Sequence, residues 1–176
     1  MDTHLVNISR RMSGLLRHHP EKLGLNMDEN GWVLTKSLIS KMGITIEELE
    51  EIVSANDKQR FEFSFHKDKI RARQGHSINV DVNLTKSLPP DVLYHGTSSD
   101  NIDSILNKGI LPMNRLHIHL SIDVETAIKV GSRHGNPVLF IIDAKEMNED
   151  GNEFYLSNNG VWLTKYVEEK YVEISR

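Results

Sequence analysis

Arginine and histidine, more than acid or thiol, are the residues of this chain whose spacing could do chemistry. Ile70-Arg71-Ala72-Arg73-Gln74-Gly75-His76-Ser77 packs two arginines, an amide, a glycine and a histidine into one short stretch. On a strand, side chains two apart share a face, so Arg71 and Arg73 are expected to project together away from the core. The adjoining glycine lets backbone come close to a ligand. The plainer reading is an exposed strand edge kept soluble by arginine. Arg17-His18-His19-Pro20 and Gly131-Ser132-Arg133-His134-Gly135 are two more such stretches. For Arg17 and His18 the plainer reading is capping of a helix C-terminus by cations. Arginine cannot serve as a base. It forks onto phosphate oxygens and stabilises charge that develops on phosphorus. Arg17, Arg71 and Arg133, if they converge, predict chemistry on a phosphate that needs no metal.

Other machinery is excluded or weak. The chain has no cysteine, hence no disulfide, no thiolate nucleophile and no cysteine-ligated zinc. It carries no Gly-x-x-x-x-Gly-Lys-Ser/Thr loop, no Gly-x-Gly-x-x-Gly and no Gly-x-Ser-x-Gly elbow. His117 and His119, two apart on a strand, with His95 could in principle make a three-histidine zinc site. Against it, His95 precedes a Gly96-Thr97 turn of the kind that wraps a small ligand, and no strand or turn obviously supplies a carboxylate to orient the ligating rings. No metal is expected.

The chain has 176 residues, 38% hydrophobic and 26% charged, as in an ordinary soluble protein, long enough to bury a core in one domain or two small ones. The net charge of -4 is unevenly split: residues 1–88 hold 13 Lys and Arg against 12 Asp and Glu, and residues 89–176 hold 8 against 13. A polyanion would meet a local cluster and not a general positive field. No apolar run approaches the roughly 20 residues that span a bilayer, and Met-Asp-Thr-His does not begin a signal peptide. A cytoplasmic location is expected.

Ile8, Met12, Leu15 and Leu16 at helical spacing predict an amphipathic helix near residues 5–18, ended by Pro20. Asp28-Glu29-Asn30-Gly31 reads as a turn into a short strand at Trp32-Val33-Leu34. Thr35 is placed to cap a helix over Ser37–Lys41. Thr45-Ile46-Glu47-Glu48 is a capping box opening a helix with Ile46, Leu49, Ile52 and Val53 on its buried side. Phe61, Phe63 and Phe65 alternate with polar residues as in a half-buried strand. His66-Lys67-Asp68 turns the chain, and Lys69–Arg73 returns with Ile70 and Ala72 inward. Three helical segments followed by a two-stranded ribbon is the order of a winged-helix unit. Asn79–Pro90 reads as the connection between lobes. Beyond it, Val92-Leu93-Tyr94 is a strand running into His95-Gly96-Thr97. Ser98 or Ser99 caps a helix with Ile102, Ile105 and Leu106, stopped by Gly109. Leu116, Ile118 and Leu120 face away from His117 and His119. A helix from Asp123 to Val130, a strand at Val138–Asp143, a turn at Asn158-Asn159-Gly160 before Val161-Trp162-Leu163, and a closing strand at Tyr171–Ile174 complete the reading. The expected fold is α+β in two lobes: residues 1–85, winged-helix-like, and residues 90–176, β-rich with short helices.

With these motifs in order, the chain closely resembles the NAD-dependent RNA (tRNA) 2′-phosphotransferases. Leu16-Arg17-His18-His19-Pro20 is similar to that family's Leu-Arg-His-x-Pro, with His19 in the variable slot. Asn30-Gly31-Trp32-Val33, Lys58-Gln59-Arg60-Phe61 and Ile70–Ser77 match further landmarks, the last as Ile-Arg-Ala-x-Gln-Gly-His-Ser. Leu93-Tyr94-His95-Gly96-Thr97, Arg115–Ser121, Gly131–Gly135 and Asn159–Thr164 complete the series. The resemblance runs from about residue 9 to the C-terminus. One departure is Val167-Glu168-Glu169-Lys170-Tyr171, where the family tail usually carries prolines.

The resemblance implies an RNA-binding lobe followed by an NAD-binding lobe of ADP-ribosyltransferase type, with NAD as co-substrate. It places the catalytic set on Arg17, His18, Arg71 and Arg133. It places NAD contacts on His95, Gly96, Thr97, Asn101, Ile105, Gly109, Ile110, His119, Leu120 and Ser121. The implied reaction transfers an internal RNA 2′-phosphate to NAD. An ADP-ribosylated RNA intermediate forms, then 2′-hydroxyl RNA, ADP-ribose 1″,2″-cyclic phosphate and nicotinamide. The expected partners are a tRNA-like RNA bearing that phosphate and NAD, with no membrane, and the resemblance favours a monomer. The alternatives are an ADP-ribosyltransferase acting on RNA ends or other phosphate acceptors, and a non-catalytic RNA-binding module.

Overall fold

Side-chain caps start several of the helices. The structure, a computed structural model, describes residues 2–55 and 58–175. The chain is mixed α and β, its strands pair in small antiparallel sheets, and it divides into two compact units, Met1–Asn83 and Leu84–Arg176. No helix among the described residues is long and apolar enough to cross a membrane.

In the N-terminal unit, helix α1 (Thr3–Arg17) is capped by the Asp2 carboxylate, which accepts from Leu5 N at 2.9 Å. Its buried stripe holds Leu5, Met12, Leu15 and Leu16, close to the expected periodicity. Strand β1 (Val33–Leu34) leads directly into helix α2 (Thr35–Met42). Thr35 does not cap it: the helix starts on Thr35 itself, whose side chain is buried. Helix α3 (Ile46–Ala55) opens on the expected capping box, with Thr45 N donating to Glu48 Oε2 at 2.8 Å and Glu48 N to Thr45 Oγ1 at 3.1 Å. Leu49 and Ile52 are buried, but Ile46, on the first turn, is exposed.

Strands β2 (Phe61–Phe63) and β3 (Lys69–Ala72) form the hairpin, and β3 lies in the middle of the sheet order β1-β3-β2. The arginine-bearing strand is therefore no edge. Phe61 is buried and Phe63 packs on the core, but β2 ends there and Phe65, in the turn, is 95% exposed. Ile70 and Ala72 face inward as expected.

In the C-terminal unit, β4 (Thr85–Lys86) precedes β5 (Val92–Ser98), a 3₁₀ turn over Ser99–Asn101, and helix α4 (Ile102–Lys108). Then come β6 (Ile118–Leu120), α5 (Val124–Gly131), β7 (Pro137–Asp143) and α6 (Ala144–Glu149). Strands β8 (Tyr155–Leu156), β9 (Trp162–Thr164) and β10 (Val172–Ile174) end the chain. One sheet has the order β10-β7-β5, the other β4-β8-β9-β6. Leu93, Phe140 and Ile142 of the first share a core with Ile118, Leu120 and Trp162 of the second. The backbones of Tyr94 and Ser121 exchange two hydrogen bonds of 2.8 Å and stitch the sheets at β5 and β6.

Candidate active site

In the N-terminal unit the loop after β3 folds over the end of α1. Ser77 N donates to Arg17 O at 3.0 Å, and His18 Nδ1 lies 2.9 Å from Ser77 Oγ. Gly75 sits at φ +86, where a Cβ would stand 3.4 Å from the Arg17 guanidinium carbon. Glycine satisfies both demands, the left-handed backbone and the close pass over Arg17. His76 is 3% exposed. Burial first, then the positive fields of Arg17, His18 and Arg71, push its pKa down to about 4. The imidazole is thus neutral at pH 7, and no described residue bonds its Nε2. Three of the four residues expected to be catalytic therefore gather around one buried neutral ring.

Arg71 departs from the exposed pair expected with Arg73. The two do share a face, but the Arg71 side chain is only 10% exposed. Its Nε donates to Glu62 Oε1 at 2.7 Å and its Nη1 to Asn30 O at 3.1 Å, while its guanidinium carbon lies 4.3 Å from the Trp32 ring centroid. The second Glu62 oxygen lies 3.6 Å from Arg73 Nε. The Asp28–Gly31 turn sets two of these partners. Asp28 Oδ1 accepts from Asn30 N and Trp32 N at 3.0 Å each, and Gly31 takes φ +80.

The C-terminal unit assembles a second group. The His95-Gly96-Thr97 turn is absent: β5 runs straight through these residues, paired to β7 from Val92 to Ser98. Gly96 has another cause, since a Cβ there would meet Ala127 O at 1.6 Å where α5 crosses the strand. At the other end of that contact, a Cβ on Gly131 would lie 2.8 Å from Thr97 N. His95 is half-buried with Nδ1 3.3 Å from His119 O, and burial holds its pKa below the usual histidine value against that bond. The Tyr94–Ser121 bridge thus brings His95, His119 and Ser121 together, whereas the Leu120 side chain is buried in the core. Asn101 Nδ2 donates to Thr97 Oγ1 at 2.9 Å.

Ile105, Gly109 and Ile110 have clear structural duties. Ile105 packs in the core, Gly109 N closes α4 on Ile105 O at 2.8 Å, and Ile110 exchanges backbone bonds with Val167. Arg133 follows α5 with an exposed side chain, in a loop tied to β5 by Ser99 N donating to Asn136 O at 2.9 Å. Among the described residues no three His, Cys, Asp or Glu side chains are grouped to hold a metal ion. His95, His117 and His119 are not such a group, and the His117 ring packs edge-on against Tyr155 at 5.7 Å.

The sequence model described as "RNA 2'-phosphotransferase, Tpt1 / KptA family" matches residues 3–166. The chain belongs to this family. A Hahella chejuensis protein named "Probable RNA 2'-phosphotransferase" is 49% identical over 99% of this chain and 96% of its own length. Proteins of the same name from Trichormus variabilis and Streptomyces coelicolor are 48% and 45% identical over 96% and 95% of the chain, and over 96% and 93% of their own lengths.

The partners that the structure gives the expected residues were not visible in the sequence. Glu62 is marked as outward-facing by the alternation Phe61-Glu62-Phe63, but alternation does not say what stands opposite it. Asn30 contributes a backbone carbonyl, which no side-chain pattern reveals. His76 stands in a recognisable motif, yet its burial is a tertiary property. Arg115 opens a recognisable motif, yet nothing in it says that Nη1 lies 3.3 Å from His119 Nδ1.

Proposed function

We propose that this chain removes an internal 2′-phosphate from RNA by passing it to NAD, with residues 1–85 acting as a winged-helix-like RNA lobe and residues 90–176 as an ADP-ribosyltransferase-like NAD lobe. The observation that carries the reading is the gathering of Arg17, His18 and Arg71 about the neutral His76. Fixed cations around an uncharged ring suit a phosphate dianion. The α1–α3 helices followed by the β2–β3 hairpin support the winged-helix comparison.

In the first step the RNA 2′-phosphate, already a nucleophile, takes the ribose C1″ and nicotinamide leaves as a neutral molecule. That step asks for positioning more than for a base. In the second, the ribose O2″ attacks the phosphorus, and 2′-hydroxyl RNA departs from ADP-ribose 1″,2″-cyclic phosphate. Negative charge builds on phosphorus, where fixed guanidinium groups such as Arg17 and Arg71 act, while His18 holds a ribose or phosphate oxygen. Arg133 is the remaining member of the catalytic set that the family resemblance implies. His95, Thr97, Asn101, His119 and Ser121 offer uncharged hydrogen-bonding groups suited to ribose hydroxyls and a carboxamide. Gly96, Ile105, Gly109, Ile110 and Leu120 shape the backbone around them.

The test is incubation of a short 2′-phosphorylated oligonucleotide with and without NAD, and with chelator added. The expected result is 2′-hydroxyl RNA and the cyclic phosphate only when NAD is present, undiminished by chelator. Arg71→Ala should slow turnover by ~10²–10³, as loss of other transition-state donors does. Stable ADP-ribosylated RNA with no dephosphorylated strand would instead identify a transferase that stops after step one. Weaker RNA binding with unchanged turnover in Arg71→Ala would reduce the arginine to a backbone contact.

A further inference from the structure

We propose that Glu62 is a positioning residue that fixes which edge of Arg71 meets the phosphate; the proposal rests on the phosphotransferase reading. The β2–β3 register sets Glu62 directly opposite Arg71 on the same face. Their 2.7 Å ion pair has side chains only 15% and 10% exposed, so water competes little for it. A guanidinium has five N–H donors: one on Nε and two on each terminal nitrogen. Glu62 takes Nε, Asn30 O takes one hydrogen of Nη1, and the Trp32 ring covers a face. No described residue bonds Nη2. The donors left over lie at the Nη1–Nη2 end, which is a fork of the width a phosphate accepts in bidentate fashion. The side-on approach through Nε is closed by the carboxylate.

Glu62 also stands between two like charges, since its other oxygen faces Arg73 Nε at 3.6 Å. Simple neutralisation of Arg71 and Arg73 is therefore the rival role, and the two roles respond differently to substitution. Glu62→Gln removes the charge but keeps an acceptor oxygen opposite Nε, whereas Glu62→Ala removes both. Positioning predicts that the glutamine variant retains function. Neutralisation predicts that both variants fail alike.

The experiment measures turnover of a 2′-phosphorylated oligonucleotide with NAD for wild type, Glu62→Ala, Glu62→Gln, Arg71→Ala and the Glu62→Ala/Arg71→Ala double variant, with urea midpoints confirming folding. For Glu62→Ala, kcat should fall ~10- to 100-fold, the usual range for groups that orient a functional side chain, with KM for NAD within ~2-fold. Glu62→Gln should recover most of the loss. In the Arg71→Ala background the same glutamate substitution should change kcat by less than ~2-fold, since the residue it positions is gone. A loss that adds in full to that of Arg71→Ala, or a glutamine variant as impaired as the alanine one, would overturn the proposal while leaving the function standing. A wild-type protein inactive with NAD would overturn both together.

Discussion

Replacing His76 with glutamine should remove a large share of the acid sensitivity of this fold. The ring is 3% exposed, and burial together with Arg17, His18 and Arg71 lowers its pKa from 6.5 to about 4. The unfolded chain therefore binds a proton between those pH values that the folded chain refuses. Stability from this group is fully present above pH 6.5 and is lost as the pH falls through the window toward 4. The whole difference corresponds to roughly 3 kcal/mol, and between pH 7 and pH 4.5 the wild type should lose about 2 kcal/mol through His76 alone.

The assay is urea unfolding at half-unit pH steps for wild type and His76→Gln, taking the difference in unfolding free energy at each pH. Glutamine is polar and uncharged across the range. The constant cost of the substitution therefore shifts the curve without bending it. His95 and His117, whose pKa values are also lowered by burial, contribute equally to both proteins and cancel. The gap between the two proteins should narrow, or reverse, by about 2 kcal/mol on going from pH 7 to 4.5. Parallel curves would refute the reasoning. So would a His76 ring resonance titrating near 6.5, because it would mean that water or an unrecognised anion reaches the ring.

Gly96→Ala should destabilise the protein by about 1–3 kcal/mol or more, because its Cβ would collide with a backbone carbonyl that cannot rotate aside. The clash at Ala127 O is 1.6 Å, and thermal unfolding would check it. Thr45→Ala removes one half of the α3 capping box and should cost about 1 kcal/mol in urea, with no change of fold by circular dichroism.

Much of this protein could be read from local pattern. The α1 stripe of Met12, Leu15 and Leu16, the Thr45–Glu48 box, the Gly109 stop and the inward Ile70 and Ala72 all follow from helical period, cap chemistry and strand alternation. These features are decided within a turn or two of chain, where sequence spacing and spatial spacing are nearly the same thing. The family is also carried by short runs such as Leu16–Pro20 and Ile70–Ser77, whose residues remain contiguous after folding.

Contacts between distant residues were decided only by the tertiary structure. A turn centred on Lys67 would set Phe63 opposite Arg71. The actual hairpin closes with Ser64 N on Lys69 O at 2.9 Å, a shift of one residue that puts Glu62 there instead. Because strand side chains alternate, that single step changes an apolar neighbour into an ion pair. Gly96 is similar: its sequence surroundings suggest a turn, but α5 crossing β5 at Ala127 is what requires a residue without a side chain. Whether the His76 ring stays neutral as the pH falls below 6.5 depends on its burial first, and then on Arg17 and Arg71, 59 and 5 positions away in the chain. The residue types set what chemistry was available, and the long-range packing set each group's charge, direction and partners.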